Sequence, residues 1–215
     1  MLRSGISDKI YIALSPVFER VPGGLLHTNI TVCTLFGAVS GSSLSTAAAV
    51  GSVAYPEMTS RGYDSKMVVG SLAGGGTLGL LIPPSLSLLI YGALTETSIG
   101  RLFLAGFLPG LLFAVMFMGY IFFRCRSNTA LVPKALTSTS ATIVVLKLLS
   151  LWPFFTLVFA IMGSIVFGIA TPTEAAGIGV IATALVGKLW GSLTIKKLIE
   201  SLYAVSYTHL TLPTN

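Results

Sequence analysis

The sequence predicts an all-α polytopic membrane protein built around a re-entrant helical hairpin and a broken transmembrane helix, and three observations carry that prediction. Of 215 residues, 53% are hydrophobic and 9% charged, where an ordinary soluble domain carries about 25% charged residues. The charges are also bunched: none falls within 21–56, 67–95, 102–123, 148–173 or 175–187, and a transmembrane helix needs about 20 mostly apolar residues. Finally, two of these stretches are broken in the middle by Gly, Ser and Pro, which a continuous helix does not want.

Residues 1–20 hold Arg3, Asp8, Lys9, Glu19 and Arg20. Charges at that spacing leave no uninterrupted apolar core before a cleavage site, so the segment reads as an interfacial, amphipathic lead-in and not as a secretory signal peptide. Residues 21–58 follow, interrupted at Ser40-Gly41-Ser42-Ser43. About 14 helical residues precede Val39 and about 12 follow Leu44, which gives arms of roughly 18 to 21 Å, enough for half a bilayer and not for all of it. A re-entrant hairpin with its tip near the midplane fits those lengths.

Residues 66–96 are interrupted at Gly74-Gly75-Gly76, at Gly79 and at Pro83-Pro84-Ser85, the pattern of a discontinuous transmembrane helix that crosses as two half-helices. Residues 102–123 are the plainest span, 22 uncharged residues with Pro109 and Gly110 as a kink. Residues 124–147 carry Arg124, Arg126, Lys134 and Lys147 with no acidic residue and read as a cytoplasmic loop. A further span is expected over 148–170. The span over 172–190 opens on Thr171, Pro172 and Glu174, the signature of a capping box, and its small residues Ala175, Gly179 and Thr183 favour close packing on a neighbour. Residues 194–204 read as an amphipathic interfacial helix, with Ile195, Leu198, Ile199 and Leu202 on one face. The end of the chain, 205–215, contains SYTHLTLPTN, which resembles the read-through translation of a sequencing adapter and is expected to be a non-native tail.

Sidedness separates the topologies, because short cytoplasmic loops are enriched in Lys and Arg. If 21–56 enters and leaves on one side and the other four stretches each cross once, 12 of the 13 basic residues lie on one face and Arg101 alone lies on the other. A full crossing by 21–56 lowers that split to 9 against 4. The hairpin arrangement is therefore expected, with its open end cytoplasmic. The net charge of +6 is then a matter of topology and not of nucleic-acid binding. Cys33 and Cys125 have no CxxC or Cys/His spacing that would build a disulfide framework or a zinc site.

Unwound backbone at membrane depth is tolerated only where protein or water satisfies its N–H and C=O groups. Two breaks in one chain thus point to a site. Ser40, Ser42, Ser43 and Ser85 supply hydroxyl oxygens, and Gly41, Gly79 and the residues around Pro83 leave carbonyls exposed, a donor set suited to a hard cation. Half-helix N-termini suit a substrate carboxylate. The broken stretches hold no titratable relay except His27, far from the tip, so neutral oxygens favour Na⁺ over H⁺ as the coupling ion. Close helix packing is the competing explanation for SGSS taken alone. Two further classes stand beside a transporter: a passive channel, and an intramembrane serine protease using Ser42 with His27 or His209 as base.

Taken together, GGLLHTNI, FGAVSGSSLSTAAAVGSVAYPEM, GTLGLLIPPSLSLLIYGALTETSIGRLFLAGFLPGLL and GIATPTEAAG, in that order over residues 1 to about 204, resemble the large membrane subunit of TRAP transporters, the DctM-like permease. The resemblance implies a non-enzymatic, Na⁺-driven secondary transporter of the elevator-type superfamily, multi-pass in the bacterial cell inner membrane. It implies three partners besides the lipid bilayer: a small DctQ-like membrane subunit, a periplasmic DctP-like substrate-binding protein, and an organic acid such as a C4-dicarboxylate. Carried over by position, Ser40, Gly41, Ser42, Ser43, Gly79 and Pro83 would hold Na⁺, and Ser43, Pro84 and Ser85 would meet the substrate. The family's second hairpin and second broken helix find no counterpart here, so roughly half a permease is expected, unable to transport by itself.

Overall fold

A computed structural model describes residues 5–133, 140–190 and 193–210, and every regular element among them is helical. The order is α1 (Ile6–Phe18), α2 (Leu25–Ser40), α3 (Ser43–Ser60), α4 (Ser65–Leu81), α5 (Leu86–Leu94), α6 (Ile99–Ser127), a 3-10 turn at Thr129–Leu131, α7 (Ala141–Leu149), α8 (Trp152–Val166), α9 (Pro172–Leu189) and α10 (Ile195–Leu210). The all-helical class read from the sequence holds. Residues 1–4 of the expected lead-in, 134–139 of the expected cytoplasmic loop, 191–192 and 211–215 of the expected tail lie outside the described residues, as do the side chains of Ala141, of Leu202 on the expected amphipathic face, and of 204–210.

The core forms where α4 packs along the pair α2 and α3. Small residues bring the backbones together: a Cβ on Gly37 would lie 2.8 Å from the Cα of Gly79, so α2 and α4 touch main chain to main chain. Asn29, fully buried on α2, ties the three helices by donating to Ser71 Oγ of α4 at 2.8 Å, with Met58 Sδ of α3 3.2 Å away. At their other ends α2 and α3 are held together by Tyr63, whose hydroxyl accepts from the Leu25 amide at 3.2 Å. The two arms thus run out and back, open at one end and turned at Gly41-Ser42. With 16 and 18 residues they extend about 24 and 27 Å, longer than the sequence spacing implies and still short of a hydrocarbon core of about 30 Å.

α1 does more than lead in. Ile6, Ile10 and Leu14 are buried against α2 and α3, so its apolar stripe belongs to the protein core. α6 is longer than its uncharged stretch because Arg124 and Arg126 sit in its last turn, where cations favour the helix C-terminus. The next helical stretch starts at α7, before the expected 148, and turns into α8 at Ser150-Leu151. Pro153 fits there because the first turn of a helix has no N–H partner to lose. Among the described residues three stretches are long and apolar enough to cross a membrane: Ser65–Leu94, Ile99–Ser127 and Thr142–Val166. α9 docks on α8 through its small residues, with Ala175 buried and Ile161 3.0 Å from where a Cβ on Gly179 would sit. Its N-terminus carries the full capping box between Thr171 and Glu174.

Candidate functional site

Both chain breaks meet at one place. α2 ends at Ser40 with Gly41 in the left-handed region (φ 60°), where glycine avoids the Cβ penalty. Ser42 then turns extended and caps α3, its Oγ accepting from the Ser45 amide at 3.4 Å. On the facing chain α4 stops at Leu81, and Ile82 to Ser85 run unwound before α5. The two segments abut: a Cβ on Gly41 would lie 2.9 Å from the Pro84 carbonyl oxygen and 3.6 Å from the Leu86 nitrogen. The Ser85 hydroxyl turns back to the Leu80 carbonyl and satisfies an acceptor that the end of α4 leaves free.

A cavity of about 630 Å³ opens beside this contact. Its floor is Ser40, Gly41, Ser42 and Ser45 from the hairpin tip with Pro84 and Ser85 from the break. The opposite wall comes from α8, α9 and α10, including Ile161, Ala176 and Thr183. Among the described residues no charged side chain lines it, and the polar groups they offer are hydroxyls and main-chain atoms. Such a site can hold a hard monovalent cation through neutral oxygens or receive an anion at helix N-termini. Among the described residues none that line it is a proton-transfer group. A second, open groove lies on α7 and α8 between Leu148, Trp152 and Phe159 and is apolar apart from Thr156.

The expected residues divide between the cavity and the packing behind it. Ser40, Gly41, Ser42, Pro84 and Ser85 line the cavity. Gly79 lies behind the tip, where a Cβ would meet the Ser42 carbonyl oxygen at 2.9 Å and Thr46 Oγ1 at 2.6 Å. The Ser43 carbonyl is directed at α4, 3.3 Å from where a Cβ on Gly76 would be, and Pro83 packs beside Gly106 of α6. His27 sits at the far end of α2, its Nε2 2.8 Å from the Pro22 carbonyl and its ring stacked on Phe18. It therefore does not meet Ser42, and the side chain of His209 lies outside the described residues.

Sequence reading passed over two tip residues. Thr46, fully buried, donates to the Ser42 carbonyl at 2.7 Å and pairs with Ser40 Oγ at 2.6 Å. Ser45 lines the cavity. The available signal was a threonine four residues after the break, the spacing at which a hydroxyl bonds back to a carbonyl one turn earlier.

Comparison with known proteins places these breaks in a family context. The family described as "Tripartite ATP-independent periplasmic transporter, DctM component" matches residues 1–212. The chain is 37% identical over 86% of its length to the C4-dicarboxylate TRAP transporter large permease protein DctM of Pseudomonas aeruginosa, covering 43% of that relative. It is 38% identical over 82% of its length to the ectoine/5-hydroxyectoine TRAP transporter large permease protein UehC of Ruegeria pomeroyi, covering 40% of it. It is 32% identical over 94% of its length to the sialic acid TRAP transporter permease protein SiaT of Haemophilus influenzae, covering 32% of it. The chain thus spans less than half the length of each of these relatives.

Proposed function

The chain belongs to the DctM component family of tripartite ATP-independent periplasmic transporters, and from that premise we propose that it forms about half of a Na⁺-coupled permease for an organic acid. The observation that carries the proposal is the meeting of two chain breaks around an uncharged, oxygen-lined cavity. In this reading Ser40, Gly41 and Ser42, which line the cavity, supply hydroxyl and carbonyl oxygens for Na⁺. Ser43, Gly79 and Pro83, expected from position to share that role, pack behind the tip and the break and hold them in place. Pro84 and Ser85 form the adjoining wall for a substrate carboxylate. The cargoes in the names of the three relatives differ, and the acid proposed for this chain is a C4-dicarboxylate or another small organic acid.

The permease would act in the bacterial inner membrane with a DctQ-like small subunit and would receive its cargo from a DctP-like periplasmic binding protein. Hairpin and broken helix would move together as an elevator-type transport unit, because α2, α3 and α4 share one core. Proximities within the fold support the hairpin topology. The Asp64 amide donates to the Leu131 carbonyl at 3.1 Å, and Lys9 lies over the Trp190 ring at 5.6 Å. Each pair joins segments that the charge distribution places on one face.

The test is uptake by the complete permease, reconstituted with its small subunit and binding protein. Ser42→Ala and Pro84→Ala are expected to weaken uptake at limiting sodium while leaving membrane insertion intact. Unchanged uptake at limiting sodium in both variants contradicts the site. Flux without binding protein and without a sodium gradient would instead identify a passive channel.

A further inference from the structure

We propose that Thr46 is a positioning residue that fixes the direction of the Ser40 hydroxyl proton, so that the Ser40 oxygen turns a free lone pair into the cavity. This rests on the reading of that cavity as a cation site.

A hydroxyl ligates a cation through a lone pair and must point its proton elsewhere. At the hairpin tip that destination is built in. Thr46 Oγ1 lies 2.7 Å from the Ser42 carbonyl oxygen, which can only accept, so the Thr46 proton is committed there. The contact of 2.6 Å between Ser40 Oγ and Thr46 Oγ1 is then left for Ser40 to donate. The alternative acceptor for Ser40, the same Ser42 carbonyl, is farther away at 3.3 Å, and it already takes the Thr46 hydroxyl and the Thr46 amide at 3.0 Å. The chain therefore has one direction: Ser40 O–H to Thr46 O–H to Ser42 C=O.

Burial makes the direction hold. Thr46 is 0% exposed, so water does not offer its hydroxyl another partner. It is also pressed toward α4, 2.6 Å from the position of a Cβ on Gly79, which fixes its oxygen against the tip. Ser40 in contrast lines the cavity; its oxygen accepts one long contact from the Ser42 amide at 3.5 Å, which leaves its other lone pair for the cavity. Neutral oxygens bind a monovalent cation weakly one at a time, so turning one hydroxyl the wrong way is felt directly in apparent affinity.

The experiment measures sodium dependence of uptake by the complete permease, with its small subunit and binding protein, for wild type, Thr46→Val and Thr46→Ser. Valine keeps the shape and removes the acceptor, whereas serine keeps the hydroxyl. Thr46→Val is expected to raise the sodium concentration for half-maximal uptake about three- to tenfold, the equivalent of one hydrogen bond, with maximal rate at saturating sodium largely kept. Thr46→Ser is expected to restore the wild-type value. Equal sodium dependence in wild type and Thr46→Val overturns the proposal. So does a loss of maximal rate in both variants with an unchanged sodium midpoint, which marks a purely structural role. Sodium-independent uptake by the wild type is a separate outcome: it defeats the cation-site reading and this inference with it.

Discussion

Gly41 shows how far a single residue decides the geometry of the tip. Its φ of 60° and the Pro84 carbonyl 2.9 Å from any added Cβ leave no room for a side chain. Gly41→Ala adds a left-handed backbone cost of roughly 1 to 2 kcal/mol and pushes the two breaks apart. We expect this variant to reach the membrane and to lose most sodium-dependent uptake, measured as initial rate per inserted permease; wild-type rates would contradict the contact. The sequence exposes Gly41 because a glycine between serines interrupts an apolar helix. Thr46 is hidden for the opposite reason. A threonine inside an apolar helix looks like any packing residue, and only its distances to Ser40 and Ser42 show its role.

At the scale of elements, the α4 to α5 break is held open by α6. A Cβ on Gly110 would lie 2.7 Å from Ile82 Cγ1, so α6 passes directly against the unwound segment. Gly110→Val overpacks this crossing and is expected to destabilise by about 1 to 3 kcal/mol, read as a lower melting temperature in detergent; an unchanged melting temperature would show that α6 does not brace the break. Thr171→Ala is a milder change. It removes the capping box of α9 and is expected to cost about 1 kcal/mol with little effect on the sodium midpoint. The capping box was legible because TPTE spells it in four adjacent residues. The extent of α7 was not: charge-free length was the only guide to its start, and Lys147 near its C-terminus concealed an apolar helix that begins at Ala141.

For the whole molecule, the helical class followed from composition and charge placement, while the cavity did not, because its floor and its opposite wall lie more than 70 residues apart in sequence and meet only through packing. Sidedness joins the two levels. Arg101, alone on its face in the charge count, lies next to Gly100, where a Cβ would be 3.7 Å from the Ile165 carbonyl oxygen. Residues 100 and 165 thus share an end of the fold, as 64 and 131 share another. Cysteines placed at exposed Ser65 and Thr97 are expected to react with an impermeant thiol reagent from opposite sides of the membrane. Reaction from the same side would show that 66–96 does not cross.

In the proposed function the hairpin tip and the helix break enclose a sodium site within reach of water. Ser45 lines that cavity without being one of the proposed ligands, so a Ser45→Cys variant of the complete permease, otherwise free of cysteine, can report on it. Its rate of labelling by a small water-soluble thiol reagent should fall as sodium is raised and stay constant when choline replaces sodium. A labelling rate indifferent to sodium, in a permease that still takes up its substrate, would contradict the account.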